Sequence, residues 1–176
     1  VGTEQSVQRV AALHSTASRP TVQCRVRLTA EAGGYRDLDN YCGVASVAQA
    51  IASPPLPGAG VELALGQSEA GPVALRYFTA DTETVTQPLT VSWQGVSGAV
   101  RLAWPEINLL AAQHDFLLKD EATGQITNLR SQPAYVFQAA QTAGKREFTL
   151  TVTPRAVGTV ILSQISAHAT GSGGAH

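Results

Sequence analysis

The spacing of short apolar runs most constrains what this chain can become. Residues 114–152, HDFLLKDEATGQITNLRSQPAYVFQAAQTAGKREFTLTV, hold four of them, centred on Phe116-Leu117-Leu118, Ile126 to Leu129, Ala134 to Phe137 and Phe148 to Val152. Turn-forming residues separate them: Asp120 to Gly124, Pro133, and Gly144-Lys145. Strands of about five residues recurring every 8–12 residues are the sequence form of an antiparallel sandwich. These four strands are expected to make one sheet, with the rest of the chain packed onto it.

The same pattern runs through the first half. Residues 21–30, TVQCRVRLTA, alternate strictly, with Val22, Cys24, Val26 and Leu28 on one face and Gln23, Arg25, Arg27 and Thr29 on the other. That is a half-buried strand. Further strands are expected at 61–65, 73–78, 89–93 and 100–104, the last ended by Pro105, which cannot donate to a ladder. Trp93 and Trp104 fall on these strands and are read as core residues. Between 31 and 60 no period is sustained. Gly33-Gly34, Asp37-Leu38-Asp39-Asn40 and the run Pro54-Pro55-Leu56-Pro57-Gly58 suggest a long covering loop, with a helical turn at 44–51.

The chain divides accordingly. Residues 1–20 are a polar leader in which Val7 and Val10 have helical spacing but could equally pair as a strand with a neighbour. Residues 21–155 form the sandwich. Residues 156–176 hold one more apolar run, VGTVILSQISAH, with Val157, Val160 and Leu162, and then a Gly-rich tail.

Composition narrows the setting. Only 14% of the 176 residues are charged, so the surface must be built from Thr, Ser, Gln and Asn, as on extracellular β-proteins. The net charge is −1 and no basic cluster occurs, which leaves no electrostatic footprint for nucleic acid. No apolar run approaches the length of a membrane-spanning helix. The only cysteines, Cys24 and Cys42, have 17 residues between them and no CxxC spacing. One disulfide is expected, stabilising by about 3 kcal/mol through loop closure. The alternative is two buried thiols acting as small hydrophobes.

Motifs for chemistry are sparse. Gly66 to Gly71, GQSEAG, has the wrong spacing for a nucleophile elbow and reads as a turn. His14, His114, His168 and His176 are dispersed. Asp115, Asp120 and Glu121 read as solvated charges at strand ends. Asp37, Asp39 and Asn40 are the best oxygen cluster and would suit Ca²⁺, the only cofactor suggested. The bland alternative is an Asx-turn bonding local N–H groups.

The order of GGYRDLDNYCGVA, PPLPG, VRLAWPEI, FLLKDEATGQITNLRSQPAYVFQA, KREFTLTVTPR and VILSQISAHATGSGG resembles an immunoglobulin-like β-sandwich module near the C-termini of large secreted bacterial surface proteins. There such a module commonly precedes a second immunoglobulin-like domain of the hook-capping or secretion-sorting kind. The resemblance spans about residues 21–170 and implies a non-catalytic extracellular module. The cysteine pair and the polar leader are not part of that pattern.

The fold expected is therefore all-β, an immunoglobulin-like antiparallel sandwich with a long covering loop and extra terminal segments. The function expected is structural: a secreted, cell-surface or filament-forming protein that self-associates or meets neighbouring domains of its parent chain. Val157, Val160, Leu162, Val7 and Val10 would add a strand to a neighbour's sheet edge. The competing expectation is an accessory or spacer module of a secreted hydrolase, binding cell-surface carbohydrate near Tyr35 and Tyr41. No catalytic constellation supports an enzyme.

Overall fold

The computed structural model describes residues 20–54, 56, 58–79, 83–109 and 113–155. The alternating stretch forms β1 (Val22–Ala32), with Cys24, Val26, Leu28, Ala30 and Ala32 buried. The chain turns at Gly33-Gly34, both at positive φ (56° and 87°), a geometry that glycine adopts without a Cβ penalty. It returns as β2 (Tyr35–Ala45), antiparallel to β1. The expected covering loop and helical turn are thus corrected: 31–60 holds β2 and a short strand, β3 (Gln49–Ala52). Asp, Asn and Gly are poor strand formers, so β2 depends on its neighbours rather than on its own propensity.

The remaining strands are β4 (Gly60–Ala64), β5 (Gln67–Ser68), β6 (Gly71–Thr79), β7 (Val85–Gln94), β8 (Gly98–Ala103), β9 (His114–Asp120), β10 (Ile126–Asn128), β11 (Ala134–Ala139) and β12 (Ala143–Pro154). A 3-10 turn at Ile107–Leu109 precedes β9. One sheet has the order β11-β8-β1-β2-β6-β3, with β5 joined to β6; the other has the order β10-β9-β12-β7-β4. Described pairings are antiparallel except β2–β6, which is parallel from Tyr41↔Leu75 to Ala45↔Thr79. The architecture is an all-β sandwich of two mostly antiparallel sheets.

The four strands at 114–152 do not form one sheet. β9, β10 and β12 lie in the second sheet, and β11 pairs with β8 in the first. The separation follows from β11's apolar side chains, which cross the core. Phe137 packs 5.7 Å from Trp93 and 5.8 Å from Phe148, and Tyr135 meets Phe148 edge-on at 5.8 Å. Trp104, fully buried, donates from Nε1 to the carbonyls of Leu129 and Gln132. Both tryptophans are core residues, as their strand positions suggested.

Cys24 and Cys42 are free buried thiols, which corrects the expected disulfide. Cys24 faces Val44 and Cys42 faces Val26, so the cysteines are diagonal neighbours across β1 and β2. Diagonal Cα atoms lie about 7–8 Å apart, beyond the usual disulfide range of about 4.4–6.8 Å. Burial pushes the Cys42 thiol up to about 12, with Cys24 adding to the rise and Arg76 opposing it. Burial also raises Cys24, against the charge of Arg130. Both act as small core hydrophobes. The leader with Val7 and Val10, and the run with Val157, Val160 and Leu162, lie outside the described residues.

Candidate functional site

The strand β2 delivers the acidic cluster, and a bulge in its ladder decides where each side chain goes. Leu28 faces Asn40 and Ala30 faces Asp37, so one residue of β1 opposes two of β2. The extra residue breaks the alternation. Asn40 turns into the sandwich and is 1% exposed. Asp37, three residues earlier, also reaches the second sheet, where its Oδ2 accepts the Leu63 N–H at 2.7 Å. Asp39 stays on the outer face, its side chain 83% exposed, with Oδ1 3.4 Å from Arg27 and 3.5 Å from the Tyr41 hydroxyl. The expected trio therefore lines one cleft unevenly, with Asp37 and Asn40 turned inward and Asp39 exposed at its rim.

Glu62 of β4 joins them. It lines a cleft of about 410 Å³ together with Asp37, Asn40, Ser53 and Leu56. Burial raises the Glu62 carboxyl; a hydrogen bond with Ser53 lowers it and the charge of Asp37 raises it further. Its Oε1 is buried without a hydrogen-bond partner, and so are both Oδ1 and Nδ2 of Asn40. An unpaired buried polar group costs about 1–3 kcal/mol. Glu62 was hidden in the sequence because VELAL reads as an ordinary strand with one polar residue facing out. Only the meeting of the two sheets sets it beside Asp37.

Among the described residues, no group of three or more His, Cys, Asp and Glu side chains converges as metal ligands. His114 is buried, with its Nδ1 unpartnered, and burial and the Arg130 charge lower its pKa. His14, His168 and His176 lie outside the described residues. Ser68 donates to the Gly71 carbonyl at 2.9 Å within the β5–β6 turn, in keeping with the turn reading of that stretch. Tyr35 is 43% exposed, whereas the Tyr41 ring is covered by the Arg25 guanidinium at 4.7 Å. A larger hollow of about 550 Å³ opens at the β11–β12 turn. Its charges are already paired, Lys145 with Glu147 at 2.9 Å and Arg146 with Asp120.

Asp120 is not a solvated turn charge. It is 1% exposed and bound by Arg146 from β12 and by the Tyr135 hydroxyl from β11, so it ties the two sheets together. Its Oδ1 also accepts the Ala122 N–H at 3.0 Å. Burial pushes its pKa up, and this is outweighed by the hydrogen bonds from Arg146, Tyr135 and Ala122 and by the Arg146 charge, which hold it at about 2. An unfolded Asp titrates near 3.9. The folded value is the lower one, so the stabilisation is complete above about pH 5 and lost as pH falls through 4 towards 2. Urea midpoints between pH 6 and pH 2 should record a loss of about 2 kcal/mol from this group. An Asp120→Asn variant should lack that component; an unchanged pH slope would contradict it.

The sheet edges are the other feature with functional reach. Across its six residues β11 pairs with β8, and among the described residues no strand pairs with its other side. Its sequence, AYVFQA, has no charge, proline or glycine, and Val136 on the outer face is 53% exposed. The β4 edge is treated differently: Asp37 takes the Leu63 N–H, and the Leu65 N–H bonds the Val73 carbonyl at 2.6 Å. Searches against protein-family models, curated proteins and solved structures each found no match to this chain.

Proposed function

We propose that this chain is a non-catalytic extracellular structural protein, a surface module or fibre subunit with an immunoglobulin-like sandwich, that assembles by β-strand pairing between subunits. The observation that carries this reading is the β11 edge. Proteins commonly protect edges with lysine, proline, bulges or a covering side chain. The β4 edge has such protection in Asp37, whereas β11 presents an uncharged, β-favouring ladder to whatever lies beside it. A strand from a second copy would gain main-chain hydrogen bonds there, and alternate apolar side chains would seat against Val136. The apolar residues Val157, Val160 and Leu162, or Val7 and Val10, are the donors this reading assigns. A contact of that kind joins unlike surfaces and propagates into filaments when the rotation does not close. The low charge of the chain, 14%, fits an extracellular setting.

Light scattering across a concentration range should show species growing well beyond 18.4 kDa. Val136→Lys in the full chain should reduce association at least tenfold, because a lysine on an edge opposes pairing. A monomer at every concentration, or association untouched by deleting both terminal segments, would sink strand donation. A monomer would also shift weight to the accessory-module reading, in which exposed Tyr35 stacks against a sugar.

A further inference from the structure

We propose that the cleft between β2 and β4 is a binding site for one hard divalent cation of the calcium class. The proposal is independent of strand pairing. Its ligands are the side-chain oxygens of Asp37 and Asn40 from the first sheet and of Glu62 from the second.

Three observations converge on it. Asp37 and Glu62, from different sheets, line one cleft with Asp39 at its rim, and the charge of Asp37 acts on Glu62. Asn40, 1% exposed, lines the same cleft with neither side-chain atom hydrogen-bonded, and Glu62 Oε1 is buried and equally unpartnered. Asp37 spends Oδ2 on the Leu63 N–H, which fixes its carboxylate on the cleft wall and leaves Oδ1 available. Like charges and orphaned oxygens in one cleft are unfavourable alone, and a cation answers both. It neutralises the carboxylates and takes the oxygen lone pairs, while the Asn40 amide N–H can donate to a carboxylate drawn towards the ion. The one basic residue on the rim, Arg36, has a side chain 65% exposed and pairs with Glu31 at 3.8 Å, so it does not occupy the cleft.

Calcium suits this donor set better than magnesium. The oxygens come from two sheets with no octahedral frame, and calcium accepts irregular shells completed by carbonyls and water. Two carboxylates and one carboxamide imply the weak end of the range, with half-saturation at about 0.1–1 mM.

The test uses the full chain at constant ionic strength. Thermal melts with CaCl2 or MgCl2, and calorimetric titration, should show a saturable rise in Tm with Ca²⁺ and a much smaller one with Mg²⁺. Glu62→Gln should weaken Ca²⁺ binding at least tenfold while the metal-free Tm stays level or rises, since a carboxylate beside Asp37 has been removed. Glu147→Gln, on β12 and outside the cleft lining, should leave the affinity unchanged. No Tm response up to about 10 mM Ca²⁺ would overturn the site. So would an affinity unaltered by Glu62→Gln, or one lost equally in Glu147→Gln.

Discussion

Gly43→Ala is expected to cost at least about 3 kcal/mol, more than ordinary overpacking, because the clash is with backbone. A Cβ at Gly43 would collide with the Cys24 carbonyl oxygen and sit 2.9 Å from the Arg25 Cα and 3.1 Å from the Cys24 carbonyl carbon. A flexible side chain could move aside; the backbone of β1 cannot without breaking its ladder to β2, where Arg25 faces Gly43. A loss of that size is a large share of a typical domain stability of about 5–15 kcal/mol. Urea denaturation followed by far-UV circular dichroism would measure it. Gly34→Ala is the fitting control, since its Cβ would meet nothing within 4 Å and only its positive φ opposes the change. It should cost about 1–2 kcal/mol. If Gly43→Ala matched the parent protein, the Arg25↔Gly43 register would be wrong.

Asp120→Ala should be the most damaging single loss of charge, about 3–5 kcal/mol, because it strands a partner. Arg146, whose side chain is 19% exposed, would keep its charge over the Phe137 ring at 4.8 Å with no carboxylate to meet it. The Tyr135 hydroxyl would lose its acceptor in the same step. Replacing both members, as Asp120→Leu with Arg146→Met, should recover much of that loss, since a buried ion pair is often no better than apolar residues of similar volume. The double-mutant cycle would separate the pair energy from the cost of an orphaned guanidinium. Equal damage from the single and double changes would place the effect in packing instead.

Strands whose side chains alternate were legible in the sequence. β1, β4, β7 and β8 fell where apolar and polar residues take turns, because one face of each is buried, and β6 where a short apolar run is bounded by turn residues. β2 was not legible. Its Asp37-Leu38-Asp39-Asn40 segment reads as a turn, and it is held in the sheet by two neighbours, one of them the parallel strand β6 far along the chain. The acidic cluster was visible but its composition was not. A single bulge opposite Thr29 sends Asp39 outward and admits Asp37 and Asn40, and sequence spacing carries no sign of a bulge. Glu62 was missed and Asp120 misjudged for a related reason. Each is a polar residue in an unremarkable strand or turn, made significant by a group from another part of the chain. The cysteines show the reverse error, in which plausible spacing met an offset of two residues in the ladder.

The place of β1 between β2 and β8 has a consequence for how the chain is made. β1 is the first of the described strands to be synthesised, yet Thr29 pairs with Ala103, and β8 must in turn accept β11. A ribosome-bound chain therefore carries the β1–β2 hairpin with the β8 flank of β1 unpaired until some sixty more residues have emerged. Folding dominated by such distant pairings is slow, and exposed apolar strands invite aggregation in the interval. During synthesis the early hairpin is the segment most in need of a chaperone's cover, and the protein's yield in a cell depends on how long that wait lasts.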